Sequence, residues 1–262
     1  LAAHGRVAAM LPGTPGPTRK ATLALVDERH RPVAFAKLAT TAPARARLRH
    51  EHAMLGALAE RDLDLAPKPL GLHEDDRRTL LVIAAVAGGT LPWTFPPPAG
   101  MRAAVEALHR GPDLPLEAHG WLADLASDAG GRGGAWRAAL AGRDWPSALR
   151  HGDLTAGHVV IGADHVVLLD WEYGALDGFP WVDLAHGALQ ALALVRRGPP
   201  GQSRALAARW LASRPWPGLT PRESDALVRI AAFAAHRDAR IDGHFDDAPL
   251  QRWRSALWEG EA

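Results

Sequence analysis

The first third of the chain alternates short apolar stretches with polar turns, which is the pattern of β-strands. The predicted strands are residues 5–11, 21–26, 33–38 and 79–86. Between the third and the fourth, residues 43–60 carry leucines and a methionine at helical spacing, and Pro43 suits the start of a helix. Gly88 and Gly89 then end this region, which we predict to be a domain of residues 1–87.

The rest of the chain, residues 88–262, has mainly helical periodicity. A Pro-rich segment, residues 93–100, cannot be regular structure. The predicted helices are 101–111, 117–129, 135–142, 180–198, 202–214 and 222–240, with a final half-turn at 255–258. The Gly-rich residues 130–134 are read as a connection between two of them. A strand-rich region followed by a larger helical one predicts the α+β class with two lobes.

A β-hairpin is predicted inside the helical region. Residues 159–161 and 166–169 are apolar, and a Gly-Ala-Asp turn separates them. His151, Asp153, His158 and Asp170 surround the hairpin within 20 positions. We expect the hairpin to bring Asp153, His158 and Asp170 close together at one end, where acidic and imidazole groups suit a metal or a proton-transfer site.

Two charged residues fall on faces that the periodicity predicts to be buried. Lys37 lies late in an apolar strand, and Glu51 lies between Leu48 and Leu55 on the inward face of the helix. A buried lysine needs a charged partner, so the two residues are predicted to pair. The alternative is that both are exposed to solvent.

A loop of glycines and prolines, LPGTPGPTRK, occupies residues 11–20. Gly13, Thr14 and Gly16 are candidates for presenting backbone N–H groups to a phosphate. The loop is neither a Walker loop nor a regular G-x-G-x-x-G motif, and a plain hairpin turn is the alternative.

The composition excludes several classes of protein to which the chain could otherwise belong. The formal net charge of +1 provides no bulk attraction to nucleic acid or to a membrane. Cysteine is absent, which excludes a disulfide scaffold and a thiolate zinc site and fits a cytoplasmic setting. No apolar run is long enough to span a membrane, and the first residues do not resemble a signal peptide.

The segments HGDLTAGH and VVLLDWE resemble the catalytic core of the aminoglycoside phosphotransferase and choline kinase family. Members usually carry H-G-D-x-x-x-x-N and then an apolar strand that ends in D-[WF]-E. The resemblance covers most of residues 5–190 and implies the two-lobed protein-kinase-like fold. It implies a small strand-rich N-lobe with one helix and a larger, mainly helical C-lobe.

The resemblance also implies a role for each residue. Asp153 would be the catalytic base and His151 would support it, while Asp183 would hold the catalytic loop. Asp170 and the residue at position 158 would bind Mg²⁺. The ATP-binding residues implied are Gly13, Thr14, Gly16, Lys37, Glu51, Ile83, Ala85 and Val86.

His158 departs from the family pattern, which has Asn at this position. Imidazole nitrogen suits Mg²⁺ less well than an amide oxygen and suits softer metals better. Three outcomes are open: His158 ligates a metal, with Mn²⁺ favoured; it hydrogen-bonds Asp153 while Asp170 holds one Mg²⁺; or the site is crippled. We predict altered but retained catalysis.

The expected function is transfer of the γ-phosphate of ATP to a hydroxyl of a small molecule such as an aminoglycoside, an amino alcohol or a sugar. Asp242, Asp246 and Asp247 would suit a cationic acceptor, or form a solvated loop. No obligate protein partner is inferred. The alternatives are a nucleotide-binding pseudokinase and, less well supported, a metallohydrolase with His and Asp ligands.

Overall fold

The structure is a computed structural model that describes residues 4–213 and 218–260, without the side chain of Arg110. The described chain forms two compact units. Unit 1 comprises the residues up to Gly89 together with Val160–Tyr173 and Asp242–His244, and unit 2 comprises Thr90–Val159, Gly174–Ile241 and the chain from Phe245. Both units are therefore assembled from segments that are distant in the sequence, whereas the predicted lobes were continuous.

The described strands are short, and eleven have defined bounds. They are β1 (Arg6–Pro12), β2 (Lys20–Val26), β3 (Pro32–Ala39), β4 (Pro69–Glu74), β5 (Thr79–Ala84), β6 (Gly89–Thr90), β7 (His109–Leu114), β8 (Trp145–Arg150), β9 (Val159–Ile161), β10 (Val166–Leu168) and β11 (Ala175–Gly178).

Eight α-helices are described, seven of them after Gly89. They are α1 (Ala42–Ala59), α2 (Gly100–Leu108), α3 (Gly120–Asp128), α4 (Gly131–Leu140), α5 (Val182–Ala191), α6 (Pro200–Ala212), α7 (Pro221–Ile241) and α8 (Pro249–Glu259). Together with the strand-rich first part of the chain, this order confirms the predicted α+β class.

Unit 1 is built on an antiparallel sheet of five strands in the order β1-β2-β3-β5-β4. Helix α1 packs on this sheet and buries its predicted apolar face, including Leu48, Leu55 and Leu58. The side chain of Thr41 accepts a hydrogen bond from the N–H of Ala44 and caps the helix N-terminus. Strand β3 is in the middle of the sheet, so a side chain that points from it toward α1 is buried.

Unit 2 has a small antiparallel sheet, β7-β8-β11, and seven helices. Every residue of α5 is buried, and α7 packs on α4, α5, α6 and α8. Helix α5 ends in a π-helical turn, Leu192–Arg196, within the predicted helix 180–198. Residue 214 of the predicted helix 202–214 lies outside the described residues.

The Gly-rich residues 130–134 were wrongly predicted to be a connection, because α4 already begins at Gly131. A Cβ added to Gly133 would lie 1.9 Å from the carbonyl oxygen of Ala126. Only glycine permits α3 and α4 to approach this closely, so the residue that indicated a loop is required by helix packing.

Several short elements were not predicted. They are β4, β6, β7, β8 and β11, and α8 is longer than the predicted half-turn at 255–258. Strands of two to six residues show little periodicity of their own, and their pairing partners decide whether they form. Among the described residues, none of the helices combines the length and the apolar character that crossing a bilayer requires.

His109 provides a prediction for the stability of unit 2. Its ring meets that of Trp181 edge-on, with the centroids 4.1 Å apart. Burial lowers the pKa of His109 from 6.5 to about 4. The unfolded chain therefore binds a proton that the folded chain does not bind, and stability falls as the pH drops from about 6.5 toward 4.

We expect replacement of His109 by Phe to reduce this loss of stability on acidification. The contribution of one group reaches about 1.4 kcal/mol per pH unit at its steepest. Urea unfolding at several pH values between 4 and 7 measures the difference between the two proteins. Equal pH slopes in both would contradict the prediction, since the other titrating groups are common to both.

Candidate functional site

Lys37 lies at the centre of a buried charge cluster in unit 1. Its Nζ donates to Glu51 Oε1 at 2.5 Å and to Asp170 Oδ1 at 2.9 Å. The pair predicted from the inward positions of Lys37 and Glu51 is thus present. The ammonium also binds Asp170, which follows β10 and lies 133 positions away in the sequence.

The cluster keeps Lys37 charged. Burial by itself would lower the pKa of the amine, but the carboxylates of Asp170 and Glu51 outweigh that effect and raise the pKa well above its ordinary value. Glu51 is 1 % exposed, and its second oxygen, Oε2, has no hydrogen-bond partner among the described residues. Such a group depends on the nearby ammonium to offset its burial.

Local backbone geometry positions Asp170. Its φ of 67° is in the left-handed region, which is uncommon for a residue with a side chain. The next residue, Trp171, is fully buried, and its Nε1 donates to the carbonyl of Leu168 at 2.7 Å. The anchored indole fixes the turn after β10, so Asp170 is presented from a defined backbone position.

Lys20 is a member of the cluster that sequence reasoning missed. Its Nζ donates to Glu172 Oε2 and lies 3.8 Å from Asp170 Oδ1. The side chains of Lys20 and Glu172 are almost fully buried. Burial is the largest effect on the pKa of Lys20 and lowers it, but Asp170 and Glu172 more than compensate, and the pKa is raised. The available signal was a lysine that begins an apolar strand directly after the glycine- and proline-rich loop.

The glycine- and proline-rich loop connects β1 to β2. The N–H of Gly13 donates to the carbonyl of Lys20 at 2.7 Å, so this N–H is committed to strand pairing and does not face a phosphate. Gly16, with φ 154°, lies against the ring of His244, and Thr41 Oγ1 donates to the carbonyl of Pro17 at 2.5 Å. Of the three candidates, Thr14 and Gly16 therefore remain.

The candidate adenine-binding residues lie at the end of β5. Ile83 is paired with both β3 and β4, and the N–H of Ala85 donates to the carbonyl of Val33 at 3.1 Å. Val86 follows as the chain leaves the sheet.

A Cβ on Gly88, which has φ 137°, would lie 2.5 Å from the carbonyl oxygen of Ile161, so this close approach requires glycine.

In unit 2, the first turn of α5 holds the loop that carries Asp153. The two carboxylate oxygens of Asp183 accept hydrogen bonds from the N–H groups of His151 and Gly152, both at 2.8 Å. Gly152 has φ 84°, which suits glycine. His151 is fully buried, and its Nδ1 accepts from the N–H of Asp153 at 3.3 Å. These contacts hold the loop in one conformation.

Two imidazoles contact Asp153. His158 Nδ1 lies 2.7 Å from the main-chain carbonyl of Asp153 and 3.8 Å from its Oδ2. A carbonyl oxygen only accepts, so Nδ1 carries the proton in this contact. His186 Nε2, on α5, lies 3.0 Å from Asp153 Oδ1. His186 was also missed in the sequence, where it was one polar residue in a predicted helix.

The three aspartates proposed for a cationic acceptor have different surroundings. Asp242 is buried in unit 1, where Oδ1 accepts from Arg47 Nε at 2.7 Å and Oδ2 from the Tyr173 hydroxyl at 2.5 Å. In unit 2, Asp246 is 61 % exposed and pairs with Arg240 Nε at 3.1 Å, and Asp247 is exposed. Asp242 thus has an internal structural role, which removes support for it as an acceptor ligand.

The described residues contain no group of three or more His, Cys, Asp or Glu side chains that could hold a metal ion. Mg²⁺ is often bound by one or two carboxylates together with substrate phosphates rather than by a cage of protein ligands. The Asp170 carboxylate, beside two lysines that suit phosphate oxygens, fits this second arrangement.

Solved structures resemble the fold of this chain, although no known family model matches the sequence and no curated protein sequence is significantly similar to it. A thermostable mutant of aminoglycoside phosphotransferase APH(4)-Ia is similar with a TM-score of 0.56 at 14 % identity, over 97 % of this chain and 94 % of that one. The chain has the fold of these phosphotransferases.

Two further structures support this assignment of the fold. Ethanolamine kinase from Plasmodium vivax has a TM-score of 0.55 at 10 % identity, over 96 % of this chain and 81 % of that one. Macrolide 2′-phosphotransferase MphH from Brachybacterium faecium has a TM-score of 0.50 at 20 % identity, over 100 % and 97 %. The APH(4)-Ia phosphotransferase has also been solved with ADP and hygromycin B. The predicted protein-kinase-like fold is confirmed.

Proposed function

We propose that the protein is an ATP-dependent phosphotransferase that transfers the γ-phosphate to a hydroxyl of a small molecule. The observation that carries the proposal is the buried Lys37 ammonium bound to both Glu51 and Asp170. An ion pair with a purely structural role needs only one carboxylate. Lys37 has two, Glu51 on α1 and Asp170 after β10, and this arrangement suits a phosphate-binding site.

Unit 1 supplies the groups that would bind the nucleotide. Lys37 would hold oxygens of the phosphates that are not transferred, with Glu51 fixing its position. Thr14 and Gly16 would cover the phosphates. The backbone from Ile83 to Val86 would face the adenine, apart from the N–H of Ala85, which is bonded to Val33. Lys20 adds a second buried ammonium beside Asp170.

Unit 2 supplies the base. Asp153 would accept the proton of the acceptor hydroxyl as that oxygen forms its bond to the γ-phosphorus. The bond between the γ-phosphorus and the bridging oxygen breaks in the same step, and ADP leaves with that electron pair. His151 and Asp183 hold the loop and would keep Asp153 in position for this step.

Asp170 is the proposed carboxylate ligand for Mg²⁺, and His158 is the second proposed metal position. The ion would neutralise charge on the phosphate oxygens, which lowers the barrier to transfer. The residues favour this chemistry over a metallohydrolase, because a catalytic zinc site uses three protein ligands and the described residues contain no such group.

A screen of acceptors tests the proposed function. Aminoglycosides, amino alcohols and sugars would be incubated with ATP and Mg²⁺, and ADP release and the product mass would be measured. We expect one class of acceptor to gain the mass of one phosphate. ATP alone should raise the melting temperature, since a ligand that binds the folded state stabilises it. A protein that neither binds nor turns over nucleotide would contradict the proposal.

His158 favours one alternative, a pseudokinase that binds nucleotide without turnover, and also provides a prediction. Replacement of His158 by Asn should raise the ratio of activity with Mg²⁺ to activity with Mn²⁺ by about tenfold, or ~1.4 kcal/mol. The reason is that an amide oxygen suits Mg²⁺ better than an imidazole nitrogen does. Initial rates with each metal measure the ratio.

The matched control for this change is His165→Asn. His165 is an exposed histidine in the turn between β9 and β10, and the same substitution there should leave the ratio unchanged. A ratio that does not move in the His158 variant, or a loss of activity with both metals, would refute the assignment of His158 to a metal position. Binding of ATP with no turnover in either protein would favour the pseudokinase.

A further inference from the structure

Helix α5 presents a second polar residue to the catalytic loop, one turn after Asp183. His186 is buried, and its Nε2 lies 3.0 Å from Asp153 Oδ1. Residues three positions apart lie on the same face of a helix, so Asp183 and His186 reach the same loop. Asp183 binds the loop's backbone, whereas His186 contacts the side chain that carries the proposed chemistry.

A third residue extends this contact into the interior. Gln190, one further turn along α5, is also buried, and its amide nitrogen Nε2 lies 3.2 Å from His186 Nε2. An ionised carboxylate only accepts hydrogen bonds, so Nε2 carries the proton when it binds Asp153. Two N–H donors cannot bond to each other, so we assign the Gln190 amide the flipped orientation, in which its carbonyl oxygen accepts from that N–H.

We propose that His186 is a positioning residue for Asp153, an inference that rests on the proposed function. Its N–H holds Oδ1 and so fixes the plane of the carboxylate. Oδ2, which lies 3.8 Å from His158 Nδ1, becomes the oxygen that takes the proton of the acceptor hydroxyl. Gln190 holds the imidazole ring in the orientation that this contact needs.

The surroundings of His186 favour this role over one in packing alone. All ten residues of α5 are buried, and most are apolar. A polar ring in such a helix costs stability unless its polar atoms are bonded. Here the bond is to the carboxylate of the proposed base, and a misplacement of a catalytic group by about 1 Å lowers rates by about a hundredfold.

Three variants test the inference. His186→Leu removes the donor, and His186→Gln keeps a donor at a similar reach. His119→Leu is the matched control, since His119 is another buried histidine of unit 2 whose Nε2 has no hydrogen-bond partner among the described residues. The measurements are kcat, the KM for ATP, the melting temperature and the product yield with the acceptor from the screen.

We expect His186→Leu to lower kcat between about tenfold and a hundredfold with the KM for ATP within twofold of the wild type. His186→Gln should recover most of the loss, and His119→Leu should keep the wild-type kcat. Recovery by Gln separates positioning from packing, because Gln and Leu both leave the ring's volume unfilled. A wild-type kcat in His186→Leu, or equal losses in the Leu and Gln variants, would overturn the inference.

The same experiment separates this inference from the proposed function. If the wild-type protein shows no phosphoryl transfer with any acceptor, the proposed function fails and the role of His186 fails with it. If the wild type is active, Asp153→Asn is inactive and His186→Leu is fully active, only the positioning role is refuted. A ¹⁵N spectrum of the imidazoles adds a readout other than activity. The His186 Nε2 resonance should shift in Asp153→Asn, and an unchanged resonance would count against the contact.

Discussion

Replacement of Asp153 by Asn is expected to lower kcat by about a thousandfold, because proton transfer to a positioned group contributes between about a hundredfold and ten-thousandfold. The Asn side chain keeps the shape and can still accept a hydrogen bond from His186. It cannot take the proton of the acceptor hydroxyl. Rates of ADP release with a saturating acceptor measure the loss.

Nucleotide binding should survive in the same variant. The charge cluster of Lys37, Glu51 and Asp170 belongs to unit 1, and Asp153 belongs to unit 2. The ATP-induced rise in melting temperature should therefore equal that of the wild type. Asp164→Asn, the same substitution in the exposed turn between β9 and β10, is the control and should keep the wild-type rate. An Asp153→Asn variant with more than about a tenth of the wild-type kcat would exclude this residue as the base.

Replacement of Lys37 by Met should produce the largest loss of stability. Removing one partner from a buried ion pair costs about 3–5 kcal/mol, because it leaves an uncompensated charge. Here two carboxylates lose the same ammonium, and Glu51 is almost fully inaccessible to water. Urea unfolding at pH 7 measures the free energy of unfolding, and the ATP-induced thermal shift should also disappear.

A double variant shows whether the lost charge is the cause. Glu51→Gln added to Lys37→Met removes the buried carboxylate and should restore part of the stability without restoring ATP binding. Lys68→Met, at an exposed lysine of the same unit, should change stability by less than about 0.5 kcal/mol. A Lys37→Met protein as stable as the wild type would contradict the structural role of the cluster. ATP binding retained in that variant would contradict its proposed role with phosphate.

The predicted pair of Lys37 and Glu51 depended on local periodicity and was therefore available from the sequence. The strand has one lysine, and the helix has one glutamate, at a position that the pattern predicts to be buried. Burial of an unpaired charge is unfavourable. An ion pair between the two side chains offsets the cost of burying each charge. The same pattern could not indicate Lys20, because a lysine at the start of a strand is consistent with exposure to solvent.

The residues of the motif between positions 151 and 171, and those that contact them, show the same division. The spacing of His151, Asp153 and Asp170 was sufficient to single them out as candidates. His186 was not found, because one histidine in a helix that is otherwise apolar has many structural explanations. Its importance depends on the 3.0 Å contact with Asp153, which is 33 positions away.

Glycine gave both correct and incorrect indications. At Gly88 it marked the end of the strand-rich region, where the backbone approaches Ile161 too closely for any side chain. At Gly133 it wrongly indicated a connection, because there the close approach is between two helices. A sequence shows that a glycine is present but not which neighbour requires it.

The sequence by itself determined the class of fold, the longer strands and helices, and the residues of the motif, since these depend on periodicity and spacing along the chain. Tertiary structure decided which of the candidates have partners. It placed Lys20 beside Glu172 and Asp170, bound Asp242 to Arg47 and Tyr173, and paired the N–H of Gly13 with Lys20. The physical reason is that most of these contacts join residues far apart in the sequence, and only the folded chain brings such residues within hydrogen-bonding distance.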